Sequence, residues 1–97
     1  MLILKTLSRE DEMHGFEIAN AIQQRSEDIL RVDEGSLYPA LQRMLLKGWI
    51  SGEWSKTPEN RRARYYRLTR GGRKQLEQEL ARYSRVNAAI HRIIQPA

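Results

Sequence analysis

The 97-residue sequence contains no cysteine, so neither a disulfide nor a thiolate-held metal can staple its fold. Only two histidines occur, His14 and His91, and neither has a second His or Cys at metal-ligand spacing, so no metal or cofactor is expected. Long apolar runs are missing too: no stretch reaches the roughly 18 residues of a membrane-spanning helix. The apolar opening from Met1 to Leu7 is too short for a signal peptide and includes Lys5, so a cytoplasmic location is expected. Also absent are a nucleophile beside a paired base, a carboxylate pair in apolar surroundings and a phosphate-cradling loop, which argues against an enzyme. No repeat, low-complexity tract or Pro/Gly-rich linker divides the chain. A chain this short buries only about 60–65% of its unfolded surface, so a second copy is the expected source of further buried apolar area.

What is present is an uneven charge. The formal net charge is +5, yet residues 1–34 carry four Lys/Arg against eight Asp/Glu, and residues 35–97 carry thirteen against four. The two parts therefore stand at −4 and +9. From Arg61 to Lys74 seven cations (Arg61, Arg62, Arg64, Arg67, Arg70, Arg73, Lys74) follow one another without a carboxylate. Such a cluster fits either a polyanion footprint or a solvated surface strip, and its place in the fold must decide.

The apolar spacing predicts the elements. Leu2, Ile3, Leu4 and Leu7 mark the buried face of a first helix with no cap before it, and Ser8 to Glu12 read as a connection. Phe16, Ala19 and Ile22 space a second helix ending near Gln24 or Arg25, with His14 as a helix-start residue. Ile29, Leu30 and Val32 are expected to form an apolar anchor before a third helix. Ser36 is the predicted N-cap of that helix, Pro39 is tolerated near its start, and Gly48 is its C-terminal cap. Leu37, Leu41, Met44 and Leu45 form the inner stripe of this helix, leaving Tyr38, Gln42, Arg43 and Lys47 outward.

From Trp49 to Ser55, and again from Ala63 to Leu68, the period changes to two, which predicts a β-hairpin joined by a wing-like loop over Lys56–Arg61. Trp49, Trp54, Tyr65 and Tyr66 are expected to pack this hairpin. Thr69 caps a last helix over about Arg70–Ile94, roughly 37 Å long, and Gly71 and Gly72 at its start suggest a tight approach between strand and helix. Leu76, Leu80, Tyr83, Asn87, Ile90 and Ile94 recur at spacings of four and three, the seam of a short coiled-coil-like interface with a second copy. Asn87 on that seam either sets register or is merely exposed.

The chain is thus expected to be mainly α with a small β-hairpin: a winged helix-turn-helix over residues 1–69 and a long C-terminal dimerisation helix over 70–97. In that arrangement the third helix enters the DNA major groove by its N-terminal end, and the second helix braces it. Ser36, Tyr38, Pro39, Gln42 and Arg43 are then in reach of double-stranded DNA. Gln42 and Arg43 have the fork needed for base edges, whereas Ser36, Tyr38 and the helix N-terminus suit phosphates. Arg61, Arg62 and Arg64 of the wing would lie along the backbone or in the adjacent minor groove. The alternative is a winged-helix module that binds another protein, since fold alone does not separate the two.

The stretches LILKTLS, MHGFEIANAIQQRS, LRVDEGSLYPALQRMLLKGWI and RRARYYRLTRGGRKQL together resemble the PadR family of transcriptional regulators over nearly the whole chain. The resemblance implies a homodimeric, repressor-like protein reading an inverted-repeat operator, with Tyr38 on the phosphate backbone and Arg61, Arg62 and Arg64 as the basic wing residues. The single long terminal helix looks like the compact subfamily. Members usually begin several residues before the LILKTLS stretch, so the first helix is expected to be short here and dimerisation correspondingly weaker. Compact members that bind aromatic compounds do so at the dimer interface, where a tryptophan precedes Ser-Arg-Val; here Tyr83 precedes Ser84-Arg85-Val86. A small aromatic or apolar effector would then be held by Tyr83, Val86, Asn87 and Ile90, unless these residues simply pack the dimer shut.

Overall fold

Residues 1–96 are described by a computed structural model, in which helices pack against one face of a small sheet. The order is α1 (Leu2–Leu7), β1 (Met13–His14), α2 (Gly15–Arg25), α3 (Glu34–Leu46), β2 (Ile50–Lys56), β3 (Arg62–Leu68) and α4 (Arg70–Ile94). Ile3, Leu4 and Leu7 of α1, Ile18 and Ile22 of α2, and Leu37 and Leu41 of α3 meet Met13, Ile50, Tyr66 and Leu76 in one core. Among the described residues, no helix is long and apolar enough to cross a membrane.

The expected two-stranded hairpin is a three-stranded antiparallel sheet in the order β1-β3-β2. β1 pairs Met13 with Tyr66 and His14 with Tyr65, and two residues are too few to show a strand period in sequence. Its second residue also begins α2: the His14 side chain accepts from the Glu17 amide, and the Glu17 carboxylate accepts from the His14 amide, a reciprocal capping box. His14 is therefore a helix-start residue, as expected. Phe16 departs from the predicted inner face, since it is 71% exposed and the core contact of that turn falls to Ile18. Ile29 and Leu30 are exposed as well, so of the expected anchor only Val32 packs against the core.

Helix α3 begins before the Ser36 start that capping chemistry suggests. Asp33, not Ser36, is the N-cap, its carboxylate accepting from the Ser36 amide at 2.9 Å. The early start puts Glu34 in the first turn, where a carboxylate suits the helix dipole. Pro39 then lies beyond the first turn, whose amides have no intrahelical partner, and costs the helix one backbone hydrogen bond, to the Gly35 carbonyl. At the other end the Gly48 amide bonds the Leu45 carbonyl and the Trp49 amide bonds the Met44 carbonyl. Gly48 has φ +74°, the left-handed conformation that closes a Schellman cap.

Thr69 joins sheet to last helix. Its hydroxyl accepts from the Gly72 amide at 3.0 Å and donates to the Gly48 carbonyl at 2.6 Å, so one side chain ties the start of α4 to the end of α3. Gly72 is buried, and a Cβ there would overlap the Trp49 carbonyl oxygen. Leu76 is also buried within its own chain, and Leu80 packs partly against the same core. The first turns of α4 are therefore spent inside the subunit, which removes Leu76 from the predicted interhelical seam. Beyond them the helix projects: the radius of gyration is 15.5 Å, against about 13 Å for a compact chain of this size. Tyr83, Val86, Ile90, Ile93 and Ile94 are all exposed along this projecting part, with Asn87 among them.

Candidate nucleic-acid interface

The hairpin register determines where the wing arginines point. β2 and β3 pair Lys56 with Arg62, Trp54 with Arg64 and Gly52 with Tyr66. Because side chains alternate across a strand, Arg62 and Arg64 share the face on which Tyr66 reaches the core. Tyr65 and Arg67 take the opposite face, where Tyr65 meets the His14 ring edge-on and Arg67 pairs with Glu12 at 3.2 Å. The run of seven cations is thus divided by the fold: Arg62 and Arg64 go to one side, Arg67 to the other, and Arg70, Arg73 and Lys74 to α4. Among the described residues, no ion pair engages Arg61, Arg62 or Arg64.

Beyond the core, that inner face opens into a cleft of about 790 Å³ between the wing and the N-terminal ends of α2 and α3. Arg61, Arg62, Arg64 and Trp54 form its wing side, and Gly15, Phe16 and Tyr38 form its helical side. Tyr38 packs closely over Gly15: a Cβ on Gly15 would lie 3.1 Å from Tyr38 Cε1 and 3.2 Å from its hydroxyl. Burial raises the Tyr66 phenol above its ordinary value, Arg64 lowers it in part, and Tyr38 adds to the rise, so Tyr66 stays neutral at physiological pH.

The other predicted contacts lie outside this cleft. Ser36, Pro39, Gln42 and Arg43 are exposed on α3, with Gln42 one turn after Tyr38 on the same side of the helix. Arg43 and Lys47 lie further round, and the Lys47 ammonium sits 4.6 Å over the Trp49 ring. The α3 N-terminus, expected to suit phosphate oxygens, is partly occupied by the protein's own groups. The Asp33 carboxylate already occupies the Ser36 amide, and Glu34 adds a second negative group beside it. Glu17 and Glu59 also line the cleft, so its positive character comes from the wing alone. Trp54 lines the cleft and Gly52 lies beside Arg64, positions that residue type alone does not reveal but that the hairpin register does.

Comparison with known proteins agrees with this architecture. The model of the transcriptional regulator PadR-like family matches residues 3–78, more than three quarters of the chain. A PadR family transcription regulator from Clostridium difficile is 28% identical, with a TM-score of 0.81 over 97% of this chain and 95% of that one. A PadR-like transcriptional regulator from Bacillus cereus is likewise 28% identical, with a TM-score of 0.81 over 98% of this chain and 89% of that one. A transcriptional regulator from Clostridium thermocellum has the same fold, with a TM-score of 0.87 at 24% identity, covering 97% and 90% of the two chains. An uncharacterized protein of Lysinibacillus sphaericus is 26% identical over 88 residues, 91% of this chain and 81% of that one.

Proposed function

The chain belongs to the transcriptional regulator PadR-like family, and from that premise we propose that it is a homodimeric repressor that reads an inverted-repeat operator with α3 and the wing. The observation that carries the reading is the cleft, because it brings to one side of the molecule Tyr38 of α3 and three arginines that have no ion-pair partner among the described residues. Arginine and a tyrosine hydroxyl are donors suited to phosphate oxygens. Gln42, exposed on the Tyr38 side of α3, is suited to a base edge. In this reading residues 1–69 hold the DNA contacts and residues 70–97 hold the dimer together, the two parts sharing the packed junction at Gly72 and Leu76.

Arg62→Ala and Arg64→Ala are expected to weaken binding almost equally for all sequences and to flatten the salt dependence by about one unit for each phosphate no longer neutralised. Gln42→Ala is expected instead to relax discrimination at one position by about 1–3 kcal/mol. Fluorescence anisotropy titrations on matched and single-mismatch duplexes at several salt concentrations measure both. Equal affinity for all duplexes and no salt effect would contradict the proposal and leave the protein-binding alternative.

Tyr83, Val86, Asn87 and Ile90 support an effector slot between the two terminal helices, since an aromatic face, two aliphatic side chains and an amide are exposed together there. A ligand that weakens operator binding tenfold must favour the incompetent state by about 1.4 kcal/mol. A panel of aromatic and cationic amphiphiles, titrated against wild type and Tyr83→Ala, is expected to yield binders that depend on Tyr83. Binding that ignores Tyr83, or none at all, would remove the effector from this site.

A further inference from the structure

We infer that β2 is a template that presets the wing arginines, with Trp54 positioning Arg62 and Gly52 positioning Arg64. The inference rests on the proposed contact between wing and DNA. Gly52 and Trp54 occupy the same face of the sheet as Arg62 and Arg64, and each arginine lies diagonally across the strand pair from its partner. Trp54 is 59% exposed and lies outside the core cluster, so burial does not account for a tryptophan there. Its ring instead carries the Arg62 guanidinium, with Cζ 4.8 Å from the ring centroid.

Gly52 does the corresponding job by having no side chain. Glycine weakens the interior of a strand, and its backbone here needs no positive φ. What the position does require is room. A Cβ on Gly52 would lie 2.6 Å from Arg64 Nε, 3.3 Å from Cζ and 3.4 Å from Cδ, so the arginine stem runs directly across the glycine. Arg64 Nε is buried there without an acceptor, and Cζ lies 6.0 Å from the Tyr66 ring centroid.

The chemistry of both supports fits a residue held ready for an anion. A carboxylate partner would fix an arginine equally well but would neutralise the charge that a phosphate reads. An aromatic face and a glycine gap hold the side chain and leave that charge intact. Glu53, the one carboxylate of β2, lies on the opposite face by the same alternation. Side-chain freedom surrendered in the free protein need not be surrendered again on binding, so both supports act to raise affinity.

The test measures affinity for a random-sequence DNA duplex at low salt, where phosphate contacts dominate. Trp54→Ala and Trp54→Leu are each expected to weaken binding about two- to fivefold, with Trp54→Phe restoring most of the affinity, because an aromatic face and not apolar bulk is required. In an Arg62→Ala background Trp54→Ala should change nothing further. Gly52→Ala should displace the Arg64 side chain and weaken binding, though by less than Arg64→Ala does because the charge remains, and should have no effect in an Arg64→Ala background. Wild-type binding by Trp54→Leu, or losses that simply add to those of the arginine deletions, would overturn the positioning role and leave the DNA contact standing. If Arg62→Ala and Arg64→Ala themselves leave affinity and salt slope unchanged, the wing contact beneath it fails as well.

Discussion

Val86→Asp combined with Ile90→Asp is expected to leave a folded monomer whose affinity for a two-half-site operator falls on the order of 1,000-fold or more. Both side chains are 49% exposed on the projecting part of α4, so the substitutions spare the subunit's own core. Leu80 would be a poorer choice, because it packs partly against that core and its removal would confound folding with association. Two like charges per chain, brought face to face across a two-fold axis, would have to be buried without partners. A monomer keeps one recognition helix and one wing, and so retains about half of the binding free energy. Sedimentation velocity measures the mass and anisotropy the affinity. A variant that remains dimeric, or a monomer with undiminished affinity, would contradict the dimeric reading.

Gly72→Ala is expected to destabilise the subunit by about 3 kcal/mol, the upper end of ordinary overpacking. In an exposed helix interior the same exchange would stabilise by up to about 1 kcal/mol. Here the new methyl would overlap the Trp49 carbonyl oxygen and fall 2.7 Å from Leu68 Cδ1, and the oxygen belongs to backbone that cannot swing aside. Helix α4 must lift away, loosening Leu76 and the Thr69 hydrogen bonds beneath it. Gly71→Ala is the control: its methyl would meet the Gly48 carbonyl at an ordinary 3.5 Å, so it should be neutral or mildly stabilising. At equal protomer concentration the Tm of Gly72→Ala should fall by roughly 15 °C. An unchanged or higher Tm would refute the close packing of α4 on the end of α3.

The elements legible in the sequence are those whose signal repeats or is stereochemically specific. The stripe of Leu37, Leu41, Met44 and Leu45, the Gly48 turn, the Thr69 cap and the long α4 all stand where spacing and capping chemistry put them. Asp33 and Ser36 are both good capping residues, and choosing between them needs the packing of Leu37 and the favourable place it gives Glu34. β1 is invisible in sequence because its two residues are a strand only through pairing with Tyr65 and Tyr66. Leu76 continues the spacing of the α4 seam, yet periodicity gives the face of a helix and not which neighbour covers it.

The candidate site is legible in its residue types more than in its geometry. The basic run from Arg61 to Lys74 is plain in the sequence, but only strand alternation and the pairing of Arg67 with Glu12 show which of its arginines share a face. The contact between Gly15 and Tyr38 links two stretches that are far apart in sequence, one opening α2 and one opening α3. A Cβ on Gly15 would press on the Tyr38 ring, so a larger residue there requires the tyrosine to give by a few tenths of an ångström.

Selection of bound duplexes from a random-sequence pool with the wild-type protein tests the central claim most directly. A two-fold dimer with one recognition helix per half-site should enrich one inverted repeat, its half-sites centred about one helical turn, roughly 34–36 Å, or a multiple of it apart. No enrichment over the starting pool, or enrichment of a single unrepeated site, would contradict it.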